Sequence, residues 1–145
     1  MADQGCGKLR HLPVLAKYFR RITLIETTDQ LNRRQKIFKV DNVTIAEYIR
    51  TTKRKDARVI STDRFAKTRL ALDLIVNVCV LYVEVPHSRQ QMFREAAQNL
   101  KLGGLFVVIV PRNDQTILVR CTAENRYQDG HIFHHHGIAT FYRNF

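Results

Sequence analysis

Two acidic residues and two glycines in the first 26 positions have the spacing of a nucleotide site. Asp3, Gly5 and Gly7 form a short acidic glycine turn, and Glu26 ends an apolar run about 20 residues later. Glycine lets backbone approach a ligand without an intervening Cβ. A carboxylate at the end of a second strand can accept hydrogen bonds from both ribose hydroxyls. The spacing favours a nucleotide site over an ordinary surface turn followed by a strand that happens to end on glutamate.

The elements that must position these residues are strands alternating with helices. The predicted helices cover residues 9–19, 30–38, a segment that follows Thr44, and 88–100. The predicted strands cover residues 22–26, 58–62, 74–85, 105–110, 117–121 and 138–141, the last two antiparallel. Asp29 and Thr44 are the predicted caps of the second and third helices, and Gly103 and Gly104 should end the fourth. This alternation predicts an α/β, Rossmann-like and mainly parallel sheet with helices on both faces.

Length and composition fit a single domain over residues 1–145. The chain is 45% hydrophobic, and no apolar run approaches the ~18 residues of a membrane span. No charged-then-apolar leader begins it, so we expect a cytoplasmic or nuclear protein without membrane contact. Cys6, Cys79 and Cys121 are odd in number and widely spaced, which argues against a disulfide framework and a CxxC zinc site.

Charge is the unusual bulk property. Lys and Arg total 24 against 13 acids, a net charge of +11, which favours a polyanionic partner and nucleic acid first. The basic clusters lie at residues 20–21, 33–39 and 53–55. Solvated helix faces and loops are the alternative explanation. Few aromatic residues are interleaved with these clusters, so no stacking platform for a single strand is predicted.

Four histidines near the C-terminus invite a metal interpretation. His131, His134, His135 and His136 lie between two glycines, with no cysteine or carboxylate pair beside them. A zinc site needs three or four converging ligands, usually with distant partners. We therefore predict no metal. The segment is expected to be a turn between late strands, or a strand with alternate side chains on one face.

Four segments together resemble the class I S-adenosylmethionine-dependent methyltransferases, and they cover most of the chain. Residues 3–7 are similar to the first glycine motif of that family and residues 22–26 to its ribose-binding motif. Residues 74–82 look like its fourth strand and active-site loop, and residues 100–110 resemble the turn before its fifth strand. The resemblance implies S-adenosyl-L-methionine as cofactor and methyl transfer as activity. It leaves the acceptor open among small molecules, proteins and nucleic acids, and it assigns no catalytic residue.

The resemblance also implies roles for particular residues around the glycine turn. Asp3 would order the methionine amino end of the cofactor, directly or through water. Gly5 and Gly7 would pass beneath its methionine and ribose portions. Glu26 would hold the ribose hydroxyls, and Thr27 would lie beside the adenine.

Three further residues would complete this site. Asp63 would meet the adenine exocyclic amine, although a solvated helix cap is an equally good role for that carboxylate. Asn77 and Val78 would line the site beneath the methyl group through their backbone carbonyls. The segment 77–82 lacks the two prolines typical of base-methylating relatives, which makes base N-methylation of that type less expected.

The sequence departs from the family pattern in two places. Leu9 stands where a third glycine is usual, and only Met1 and Ala2 precede Asp3, so the first strand should be truncated. A shortened central strand would leave unpaired backbone and a void, at a cost of several kcal/mol. A fragment of a longer protein, a misplaced start, a homodimer or another segment that fills the gap would each account for this. A non-catalytic or degenerate Rossmann-like module, binding a partner or nucleic acid through its basic surface, is the alternative function.

Overall fold

The computed structural model describes residues 1–81 and 84–109, together with the backbone of three later strands. The helices are α1 Leu12–Tyr18, α2 Thr28–Asn32, α3 Ile45–Thr51, α4 Thr62–Phe65 and α5 Pro86–Asn99. The strands are β1 Ala2–Gln4, β2 Ile22–Glu26, β3 Gln35–Ile37, β4 Val40–Val43, β5 Ala57–Ser61, β6 Leu72–Val78, β7 Leu100–Ile109, β8 Ala123–Tyr127, β9 Gly130–His135 and β10 Ile138–Arg143.

Five parallel strands form the main sheet in the order β5-β2-β1-β6-β7. The short β1 lies at the centre, where Ala2 is opposite both Thr23 of β2 and Ile75 of β6. The late strands form a separate antiparallel sheet in the order β10-β9-β8, and β3 and β4 form a hairpin. The predicted Rossmann-like α/β class with antiparallel late strands is therefore confirmed, and the first strand is short, with three residues.

Each face of the sheet has its own apolar core because successive strand residues point to opposite faces. Leu24 packs with Leu12 of α1 and Ile45 of α3 in one cluster. Ile25, the next residue, packs with Phe65 of α4 and Ala96 of α5 in the other. Helices consequently cover both faces, as a buried parallel sheet requires.

The predicted helix over residues 30–38 is wrong. The structure has the short helix α2 followed by the β3–β4 hairpin, whose turn contains left-handed backbone at Phe38 (φ 53°); Asn42 inside β4 is also left-handed (φ 55°). Thr27, rather than Asp29, caps α2, because the Thr27 hydroxyl accepts a 3.3 Å hydrogen bond from the Gln30 amide. Asp29 lies in the first turn, where a negative charge favours the helix dipole.

The second correction concerns the strand predicted over residues 74–85. β6 begins at Leu72 and ends at Val78, because Cys79 takes a left-handed backbone conformation (φ 57°) that leaves the sheet. The third concerns Gly103 and Gly104. The helix α5 ends at Asn99, so both glycines lie inside β7, where the pairing register with β6 shifts.

Other sequence predictions match the structure. β2 covers residues 22–26, and Thr44 caps α3 in a reciprocal capping box with Glu47. The strand predicted over residues 117–121 lies outside the described residues. The histidine-rich segment is mostly strand β9, of which only the backbone is described. In the described part of the chain no helix is both long and apolar enough to span a membrane.

Candidate functional site at the carboxyl edge of the sheet

The candidate site lies where β1, β2 and β6 end. From β1 the chain continues to β2 on one side of it, and a later segment adds β6 on its other side, so the strand order reverses at β1. In open α/β sheets the crevice beside such a reversal of strand order is the usual ligand site. Because parallel strands share one direction, the residues that follow these three strands meet at the same edge.

The glycine turn after β1 folds back onto the end of β2. The amides of Gly5 and Cys6 both donate to the carbonyl oxygen of Ile25, at 2.9 and 3.1 Å. Gly5 and Gly7 have φ angles of +80° and +48°, a region that glycine enters without a Cβ penalty. The turn is therefore fixed to β2 by backbone bonds that need the conformations glycine allows.

Glu26 holds this turn with its side chain. Its Oε2 accepts a 2.9 Å hydrogen bond from the Gly7 amide, and its Oε1 accepts one of 2.9 Å from the Thr27 amide. Each carboxylate oxygen can accept two hydrogen bonds, so each retains one acceptor position. Glu26 is half-buried. It can therefore brace the turn and still accept from a ligand hydroxyl.

Asp3 is a buried carboxylate without a hydrogen-bond partner. Its side chain is 0% exposed, and neither oxygen has a partner among the described residues. The imidazole of His11 approaches Asp3, with its Nδ1 3.8 Å from Oδ2, beyond hydrogen-bond distance. Burial raises the pKa of Asp3 to about 6; the His11 charge opposes this shift and the charge of Glu26 adds to it. A buried, unsatisfied carboxylate is costly and marks a place for a cationic partner.

The end of β6 is held to β1 through side-chain amides. Asn77 is fully buried; its Nδ2 donates to Oε1 of Gln4 at 3.3 Å and its Oδ1 accepts from the Leu81 amide at 3.3 Å. The loop after β6 then packs on the glycine turn so closely that a Cβ on Gly5 would lie 2.3 Å from a methyl of Val80. Val78, which lies between Asn77 and Val80 in the chain, is half-buried.

The two residues assigned to the adenine lie farther along the edge. Thr27 is exposed as the cap of α2. Asp63 is exposed in the first turn of α4, and Ser61 is the residue that caps this helix, so the cap role considered for Asp63 is wrong. The charge of Asp63 reaches Glu95 of α5: burial raises the pKa of Glu95, a hydrogen bond from Gln91 lowers it, and Asp63 raises it again.

Sequence reasoning missed His11, Gln4 and Glu95, all of which contribute to this edge. His11 is at the N-cap position of α1 without a capping hydrogen bond from its side chain, and only its position eight residues after Asp3 could have indicated the pairing. Gln4 and Glu95 show no motif; they become visible when β1 and α5 are packed together. Cys6 is buried in the core of one sheet face, and burial raises the pKa of its thiol far above the usual range, which keeps it protonated.

The structure gathers most of the predicted site residues at this edge. Five of them lie at or just after the ends of β1 and β2: Asp3, Gly5, Gly7, Glu26 and Thr27. Asn77 and Val78 lie on the adjacent β6, and Asp63 follows β5, the strand on the far side of β2. In the described ranges no group of three or more His, Cys, Asp or Glu side chains could hold a metal ion.

No protein-family model and no curated protein matches the sequence. Among solved structures the chain is similar to the PH0226 protein from Pyrococcus horikoshii OT3, with a TM-score of 0.71 and 14% sequence identity. The match covers 98% of this chain and 64% of that protein, so the chain spans somewhat less than two thirds of its length. At this identity the likeness concerns the fold alone, and it agrees with the Rossmann-like sheet described above.

Proposed function

We propose that this chain is an S-adenosyl-L-methionine-dependent methyltransferase module, with its cofactor at the carboxyl edge of the parallel sheet. One observation carries the proposal: the Gly7 amide bonds to the Glu26 carboxylate at 2.9 Å, directly beside the buried Asp3. A glycine turn, a ribose-type acid and an unsatisfied carboxylate thus stand together at a reversal of strand order. The resemblance of residues 74–82 and 100–110 to segments of that family adds support from other parts of the chain.

The unpartnered Asp3 carboxylate fits the amino group of the methionine end of the cofactor. That group is cationic at neutral pH, whereas Asp3 has neither oxygen satisfied by the described residues. A cation near Asp3 would lower its pKa from about 6 and so favour the charged form. Because Asp3 is fully buried, a bridging water or a small opening of the turn would make this contact.

The ribose and adenine positions fit the remaining groups. A Cβ built on Gly7 meets nothing within 4 Å, so there is room for a ligand against the backbone of the turn. Glu26 keeps one acceptor position on each oxygen for ribose hydroxyls. Thr27 is exposed beside it, and Asp63 supplies an exposed carboxylate toward the adenine end.

The chemistry asks little acid–base help of the chain. A bound cofactor supplies an electrophilic methyl group, and transfer to an acceptor that is already nucleophilic needs mainly proximity and orientation. Asn77 fixes the loop after β6 through Leu81, and Val80 packs that loop on Gly5, so these contacts would hold the floor of the site. The acceptor would be a small molecule, a protein or a nucleic acid.

Calorimetric titration with S-adenosylhomocysteine tests the proposal. We expect one site per chain and a Kd in the micromolar range, about −8 kcal/mol. Adenosine, which lacks the amino-acid end, should bind more weakly, and NAD should not bind. Tighter binding of NAD than of S-adenosylhomocysteine would instead indicate an oxidoreductase, and no heat with any of the three would contradict a live nucleotide site.

A non-catalytic Rossmann-like module is the second candidate function. The observation that favours it is that both Glu26 oxygens already accept backbone hydrogen bonds, so the acid has a structural role that needs no ligand. The same titration separates the two candidates, because a purely structural Glu26 predicts no ligand binding at this edge.

A further inference from the structure

Two basic clusters that are distant in sequence meet at the amino edge of the sheet, opposite the candidate cofactor site. Arg20 and Arg21 precede β2, and Lys55 precedes β5. These strands are parallel neighbours, and the Ile22 amide donates a 2.8 Å hydrogen bond to the carbonyl oxygen of Asp56. The loops that lead into the two strands therefore lie side by side.

The carboxylates near this edge are already neutralised by other cations. Asp56 receives two hydrogen bonds from Arg54, the shorter at 2.7 Å, and Asp73 is paired with Lys101. In the part of the chain that the structure describes, no carboxylate pairs with Arg20, Arg21 or Lys55, and all three are exposed. The local positive charge is therefore not compensated.

These residues surround a cavity of about 460 Å³ whose lining includes Arg20, Arg21, Lys55, Arg58 and the apolar Leu72. The Arg58 Nε donates a 2.9 Å hydrogen bond to Oγ1 of Thr23. This bond orients the guanidinium and leaves its two Nη groups to bind a phosphate in a bidentate manner. We propose that this amino edge, defined by Arg20, Arg21, Lys55 and Arg58, binds the phosphate backbone of a nucleic acid.

Charge complementarity selects the partner. A net charge of +11 favours association with polyanions, and a nucleic acid presents a regular row of phosphates to a row of guanidinium and ammonium groups. The four defining side chains are all cationic, so the contact would be to phosphates and would carry little sequence preference. It uses none of the cofactor-site residues, so it does not depend on the proposed methyltransferase activity.

The structure makes the basic segment 33–39 a weaker candidate for binding a polyanion. Arg34 donates to Glu47 at 2.8 Å and to the Asn42 carbonyl at 2.7 Å, and Lys36 pairs with Asp41 at 3.1 Å. These contacts partly neutralise the charges of Arg34 and Lys36 within the hairpin region. The amino edge is consequently the better polyanion surface.

The test is fluorescence anisotropy of the full chain with a labelled ~20-nucleotide oligouridylate and a duplex DNA of similar length, between about 50 and 200 mM salt. The edge variant is R20E/R21E, and the matched control is K39E/K67E, which changes net charge equally at exposed sites elsewhere. We expect the edge variant to lose at least about tenfold in affinity and its salt slope to fall by about 1.4 with the oligouridylate and about 1.8 with the duplex, whereas the affinity of the control should change less than about threefold. K55E should give about half the effect on the slope.

Circular dichroism melting establishes that each variant is folded, and K55E keeps the test informative if R20E/R21E does not fold. Equal losses in the edge and control variants would overturn the proposal, because they would indicate a net-charge effect. Absence of binding to either nucleic acid at low salt would also overturn it, as would capture by anionic phospholipid vesicles without nucleic-acid binding.

Discussion

The backbone amide of Gly7 donates a 2.9 Å hydrogen bond to Oε2 of Glu26, and this bond joins the turn after β1 to the end of β2. Gly7 lies in the turn that follows β1, and Glu26 is the last residue of β2, which pairs in parallel with β1 so that Gln4 is opposite Ile25. Glu26 is thus a structural brace of the turn as well as a candidate ligand group. A side chain with both roles makes the geometry of the turn and the affinity for a ligand depend on the same carboxylate.

Replacing Glu26 with alanine should weaken S-adenosylhomocysteine binding by ~1.5–3 kcal/mol, as loss of a charge-assisted acceptor does. Glu26→Gln should weaken it less, because the amide keeps one acceptor oxygen of the same size. Isothermal titration calorimetry measures both affinities. Asp41→Ala, which removes an exposed carboxylate of the hairpin, is the control and should leave the affinity unchanged. An unaltered affinity in Glu26→Ala would exclude the ribose role.

Asp3 should make the stability of the protein depend on pH. Its pKa is raised from 3.8 to about 6 in the folded state, so the folded chain holds this proton more tightly than the unfolded chain. The contribution of Asp3 to the free energy of unfolding should therefore fall as pH rises from about 4 to 6 and stay low above that, by roughly 2–3 kcal/mol. Asp3→Asn should lack this component.

Urea denaturation at about pH 4 and pH 7 measures the effect for the parent chain, Asp3→Asn and the exposed control Asp41→Asn. We expect Asp3→Asn to be the more stable protein at pH 7 and to bind S-adenosylhomocysteine more weakly. Gained stability with lost binding is the pattern of a side chain kept for function. A parent and an Asp3→Asn variant with the same pH dependence would show that Asp3 is not held with a raised pKa.

Asn77 should be important for folding. Asn77→Ala leaves the Leu81 amide and the Gln4 side chain without a partner in a buried place, which should cost ~2–4 kcal/mol of unfolding free energy. Asn32→Ala, at the exposed end of α2, should change stability by less than about 0.5 kcal/mol. Chemical denaturation of both variants measures the difference. Similar stabilities would mean that water replaces the Asn77 bonds.

The sequence indicated the fold where local and periodic signals agree. The apolar run of β2 ends on Glu26, and Thr44 caps α3 as predicted, with Glu47 completing a capping box that was not predicted. Residues 30–38 failed because apolar spacing in a short segment fits a helix or a hairpin equally, and the choice depends on left-handed backbone at Phe38. Gly103 was read as a helix end, although tertiary pairing with β6 draws it into a strand.

Some residues of the candidate site can likewise be predicted from the sequence, whereas others are evident only from the folded structure. The glycine turn and Glu26 follow from spacing alone because they are joined within one β-α-β unit. The neighbour of Asp3 and the partner of Asn77 do not, since His11 approaches Asp3 from the start of α1 and Gln4 reaches Asn77 through the pairing of β1 with β6. The amino edge was visible only as separate charge clusters until β2 and β5 were found to be neighbours.

The two glycines of the turn should respond differently to alanine. In Gly5→Ala the new Cβ would lie 2.3 Å from a Val80 methyl, and the φ of +80° adds backbone strain, so the variant should lose ~2–4 kcal/mol of stability. In Gly7→Ala the Cβ meets nothing within 4 Å, so only the strain at φ +48° remains, ~1 kcal/mol.

The space beside the Gly7 backbone is where the cofactor would pass. Gly7→Ala should therefore weaken S-adenosylhomocysteine binding out of proportion to its small effect on stability. The double variant Gly5→Ala/Val80→Ala should recover part of the stability lost in Gly5→Ala, since the clash is with that side chain. Thermal melting and calorimetry on the parent, the two glycine variants, Val80→Ala and the double variant measure both quantities. Additive losses in the double variant would show that strain, and not contact with Val80, makes Gly5 necessary.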